Sequence, residues 1–131
     1  MKPLLFALLL LVACSPFPTR TPVHWHATVD ITVCGDKVDL PRIPAGQGHL
    51  GASLLHTHDD NVIHVEGAVS RAEDITVGKF FQSIGLGVTA TDIDVLKSCT
   101  GTLTAKVNGV EDANFLDYSV RDGDVIEIMY G

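Results

Sequence analysis

Ten consecutive residues, His24 to Val33 ("HWHATVDITV"), alternate between apolar and polar side chains without a break. A period of two is the signature of a half-buried β-strand. The alternation places Trp25, Ala27, Val29, Ile31 and Val33 on one face, and His24, His26, Thr28, Asp30 and Thr32 on the other. One face must therefore meet a core and the other must remain polar. "CGDK" then reads as a turn and "VDL" as a returning strand, while residues 41–53, rich in Pro and Gly, read as a loop that carries His49.

"HTHDDNVIHVEG", residues 56–67, reads as a second hairpin. Leu54 to His58 form one strand, Asp59 to Asn61 the turn and Val62 to Gly67 the other strand. A three-residue connection sets His56 opposite His64. It also brings His56, His58, His64 and Glu66 to one face, with opposed Cβ atoms about 4.5–5.5 Å apart. An even-length connection would shift the register and scatter them. At least one of Asp59 and Asp60 is expected to cap the turn through backbone N–H groups.

A helix is expected from "ITVGKFFQSIGLG", with Thr76 as N-cap, Gly85 near the C-terminus and Phe80, Phe81 and Ile84 turned to the core. Gly78 opposes it, since glycine is a poor helix former. The last third, "LTAKVNGVEDANFLDYSVRDGDVIEIMYG", resembles the end of β-grasp, or ubiquitin-like, domains. Its Asn108-Gly109 turn, Tyr118 segment, Asp122-Gly123-Asp124 turn and final apolar strand carry the likeness. The resemblance implies an α+β fold: a β-grasp-like mixed sheet with one short helix, preceded by N-terminal β-hairpins. It does not bring a function with it. Sulfur carriers of this type end in Gly-Gly and act in the cytoplasm; this chain ends Tyr130-Gly131. Taken whole, the chain resembles uncharacterised small exported prokaryotic proteins with "HWHA", "HTHD" and "IHVE" segments.

The chain begins "MKPLLFALLLLVACSPF". A basic start and a short apolar run fit a secretory signal peptide, and the run is well short of the about 20 residues that span a bilayer. "LVAC" resembles a bacterial lipobox. That resemblance implies a signal peptide over residues 1–13 and a diacylated, N-acylated Cys14, which anchors the protein to a lipid bilayer outside the cytoplasm. The alternative is an ordinary cleaved signal with an incidental cysteine. Ser15 in place of aspartate slightly favours the outer membrane, facing the periplasm. Residues 14–23, with three prolines, read as a tether, and residues 24–131 as one α+β domain.

The formal charge of −7 comes without a Lys/Arg cluster, which argues against nucleic acid as a partner. Of the three cysteines, lipidation takes Cys14. Cys34 and Cys99 remain, and an oxidising compartment favours a disulfide between them over a pair of thiolate metal ligands, with two unrelated free thiols as a third alternative.

All six histidines lie between residues 24 and 64. Two His-x-His pairs with His64 and Glu66 suggest a site for a divalent transition metal, copper or zinc, built from His24, His26, His56, His58, His64 and Glu66. Capture, buffering or delivery would follow, with a metal donor or acceptor protein as partner. The competing reading is a non-catalytic interaction or pH-sensing module without metal. No GxSxG elbow, HExxH motif or phosphate loop is present, so catalysis is the weaker expectation.

Overall fold

The computed structural model describes residues 17–19 and 21–131. The expected signal peptide and Cys14 lie outside the described residues. The described residues fold as α+β: one mixed sheet of eight strands and one short α-helix. The strands are β1 (Val23–Val33), β2 (Asp36–Val38), β3 (Leu50–Gly51), β4 (Leu55–Thr57), β5 (Val62–Gly67), β6 (Leu103–Val107), β7 (Val110–Glu111) and β8 (Val125–Tyr130). Their order is β3-β4-β5-β1-β8-β6-β7, with β2 pairing β1.

β1 is the axis of the sheet. Its first half pairs antiparallel with β5, from Val23↔Gly67 to Thr28↔Val62. Its second half pairs in parallel with β8, from Thr28↔Val125 to Val33↔Tyr130. A parallel pair cannot be closed by a tight turn; here almost the whole domain lies between the two strands. The period-two pattern is realised residue by residue. Ala27, Val29, Ile31 and Val33 are buried, while His24, His26 and Thr28 are exposed.

The helix α1 (Val77–Ser83) covers the apolar face. The Thr76 hydroxyl accepts the Lys79 N–H at 3.2 Å, capping the first turn. Val77, Phe80 and Phe81 join the same core as Ile63, Val65, Ile126 and Ile128. Burying each phenylalanine contributes roughly 1.5–3 kcal/mol. Gly78 has a packing reason: a Cβ there would sit 2.9 Å from the Leu116 carbonyl oxygen. Glycine weakens the helix but admits the chain segment that crosses it.

Cys34 and Cys99 are joined in a disulfide, their Cα atoms 5.6 Å apart. It ties the end of β1 to the stretch between α1 and β6, which contains no named strand or helix. At the other end of β1, Thr19 exchanges hydrogen bonds with the backbone of Val69, and the Phe17 ring meets Trp25 edge-on. Part of the proline-rich lead-in therefore lies against the domain. With the helix on one face, the polar face of β1, β4 and β5 is left to carry the histidines.

Candidate metal centre

The β4–β5 hairpin has the register His56↔His64, and β1 continues the row with His26↔His64 and His24↔Glu66. Three adjacent strands thus place His26, His64 and His56 in one line across the sheet, and His24 and Glu66 in the next. Asp59 and Asn61 take positive φ values of 62° and 53°, conformations that Asx residues tolerate. Asp60 holds the turn: its Oδ1 accepts from the N–H of His58 at 3.3 Å and of Val62 at 3.2 Å. It also accepts from the Thr57 hydroxyl at 3.2 Å. Asp59 instead accepts the Ile43 N–H at 2.8 Å, fastening the preceding loop to the turn.

Each central imidazole has one nitrogen fixed by the protein. His56 Nδ1 lies 3.2 Å from the Ala52 carbonyl oxygen and His58 Nδ1 lies 3.1 Å from that of Gly48. A carbonyl only accepts, so both Nδ1 atoms carry the proton. His64 Nε2 lies 2.7 Å from Asp60 Oδ2. Burial alone would raise the Asp60 carboxyl, but the hydrogen bonds it accepts from His64 and from backbone N–H groups hold it below the ordinary aspartate value. Asp60 is thus an ionised acceptor, and His64 Nε2 is the donor.

The remaining nitrogens converge. His56 Nε2 and His58 Nε2 are 3.1 Å apart. With both rings neutral and protonated at Nδ1, this contact sets two lone pairs against each other, so it calls for a cation or a shared proton. His64 Nδ1 is buried and has no hydrogen-bond partner. It lies 3.6 Å from Glu66 Oε1, while Glu66 Oε2 lies 3.7 Å from His56 Nε2 and Oε1 lies 4.0 Å from His58 Nε2. One ligand atom from each of His56, His58, His64 and Glu66 falls within 4.8 Å of all the others. A tetrahedral zinc with bonds of about 2.0–2.1 Å separates its ligands by about 3.3 Å. Four of the six donor pairs lie at 3.1–4.0 Å, within about 0.7 Å of that separation.

Burial is graded across this group. His56 and His64 are 3 % and 8 % exposed, whereas His58 and Glu66 have side chains 38 % and 36 % exposed. Desolvation pushes the His56 imidazole below its ordinary pKa; Glu66 opposes this, and His49 and His58 add to it. The net effect favours the neutral ring.

The six expected ligands form two overlapping groups. The second is His24, His26 and His64, whose ligand atoms also lie within 4.8 Å of one another. His24 Nε2 is 3.1 Å from Glu66 Oε1. Sequence reasoning left His49 outside the site, yet its ring lies 4.6 Å from that of His56 and 6.3 Å from that of His58. Its loop carried no periodic pattern that could have placed it. Gly51 brings that loop close: at φ 117°, a Cβ would meet the Leu55 carbonyl oxygen at 2.8 Å.

Comparison of the chain with known protein families, with curated proteins and with solved structures finds no match. The functional reading therefore stands on the site itself.

Proposed function

We propose that this chain binds a divalent transition metal ion through His56, His58, His64 and Glu66, and serves to capture, buffer or deliver it. The observation that carries the reading is the placement of the ring nitrogens. Three imidazoles are each held by a hydrogen bond at one nitrogen, and the other nitrogen of each lies 3.6–4.0 Å from the Glu66 carboxylate. Fixing the outer N–H of a ligating histidine with a carbonyl or carboxylate is how proteins orient such rings. Zinc(II) is the better fit, because four donors at these separations suit a tetrahedron; copper(II) prefers a tetragonal array.

Four protein donors fill a tetrahedral shell and leave no vertex for an attacking water, which favours binding over hydrolysis. Two of the donors are over a third exposed, and the hydrophobic core lies on the opposite face of the sheet. An exchangeable ion suits this placement better than one holding the fold together. In this reading the protein works outside the cytoplasm, lipid-anchored through Cys14, and gives or receives the ion from a partner protein.

The test is a thermal melt of the chelator-treated protein with zinc(II) or copper(II) added separately. At 100 times its dissociation constant, the ion should add about 2.7 kcal/mol of stability. His58→Ala should lose most of that gain and His49→Ala little. No rise in the wild-type midpoint with either metal would leave the interaction module as the better reading.

A further inference from the structure

We infer that His24 and His26 form an outer metal position through which the ion enters and leaves the inner one, with His64 and Glu66 held in common. This rests on the metal reading above and goes beyond it by assigning a route. His24, His26 and His64 bring their ligand atoms within 4.8 Å of one another, as do His56, His58, His64 and Glu66. His64 belongs to both groups. Its Nε2 is engaged by Asp60 at 2.7 Å, so Nδ1, buried and without a hydrogen-bond partner, is the nitrogen with a free lone pair. One lone pair cannot serve two ions. The two groups are alternative positions for a single ion.

Glu66 completes the bridge. Its Oε1 is 3.1 Å from His24 Nε2 and 3.6 Å from His64 Nδ1, and its Oε2 is 3.7 Å from His56 Nε2. The rings also form an unbroken row. The His24 and His26 centroids are 4.7 Å apart, those of His26 and His64 4.7 Å, and those of His58 and His64 4.5 Å. The His24 side chain is 66 % exposed, and that of His64, shared by both groups, is 11 % exposed.

An ion that loses its water shell in one step faces a large desolvation cost. Here it can exchange ligands singly. His24 and His26 displace the first waters, His64 Nδ1 and Glu66 bind next, and His58 and His56 then replace His26 and His24. Each metal–nitrogen bond formed inside is matched by one broken outside. The oxidation state of the metal does not change, and His64 and Glu66 stay bound throughout.

The experiment measures zinc(II) and cobalt(II) uptake by the full chain in detergent, and release to EDTA, by stopped flow. Wild type is compared with His24→Ala/His26→Ala; both replaced residues are exposed. Uptake and release should each slow by about tenfold, a barrier change of ~1.4 kcal/mol, with a loss of affinity far smaller than that of His58→Ala. In His58→Ala, weak residual binding should persist and should vanish when His24 and His26 are also replaced. If the double variant keeps wild-type rates, the route is wrong and the inner site stands. If it loses affinity as severely as His58→Ala, the histidines form one site and the two-position scheme is overturned. If wild type takes up neither metal, the metal reading fails and the route with it.

Discussion

Asp60 holds His64 at 2.7 Å, and the same carboxylate accepts the N–H groups of His58 and Val62 across the hairpin turn. One side chain thus closes the turn and aims an imidazole. Asp60→Asn separates these roles, because asparagine can still accept from the backbone but no longer offers His64 a charged acceptor. Metal affinity should fall by about 10–100-fold with little change in the metal-free melting temperature. Competition against a chromophoric chelator measures the first, and a thermal melt the second. Asp59→Asn, which alters only the contact to Ile43, should leave affinity near wild type.

His56 gives the metal-free protein a predictable pH response. Its pKa is lowered from 6.5 in the fold, chiefly by burial. Between the folded value and 6.5, the unfolded chain therefore binds more protons than the folded one, and stability rises with pH. The His56 contribution is present above pH 6.5 and is lost as pH falls through the folded value. Urea titrations of chelator-treated protein from pH 7.5 to 5 should show stability declining on the acid side, and His56→Gln should flatten that decline. An identical slope in the variant would remove His56 as its cause.

Much of this was legible because the relevant periods are short. The three-residue turn placed His56, His58, His64 and Glu66 on one face of the hairpin, and the structure keeps its register His56↔His64; the alternation of β1 put His24 and His26 on its polar face. The helix signal at Thr76 held despite Gly78, whose role depends on Leu116, a residue far along the chain. What the sequence hid was long-range. The position of the His49 loop over His56 depends on a close backbone approach at Gly51. The overlap of the two groups at His64 depends on β1 pairing with β5. Neither leaves a periodic trace.

The anchor can be tested independently of the metal. Cys14→Ser removes the sulfur that diacylglycerol would modify. The variant should incorporate no labelled fatty acid and should appear as a soluble form or an unprocessed precursor in fractionated cells. Labelling at the wild-type level would rule out a lipid on Cys14.

The disulfide should contribute strongly to stability, because it closes a long loop. Cys34 and Cys99 are 65 residues apart, and chain entropy alone assigns such a closure about 4 kcal/mol. The closed loop contains β2 to β5, α1 and the histidine hairpin. Replacing both cysteines with serine should lower the denaturant midpoint by much of that amount while leaving the β1–β5 pairing, and hence the site, intact in what remains folded. The readouts are a urea titration and zinc affinity measured below the unfolding transition. A large loss of stability with unchanged affinity would confirm that the bridge supports the domain and not the site. A matching loss of affinity would mean that the end of β1 at Val33 is coupled to its beginning at His24.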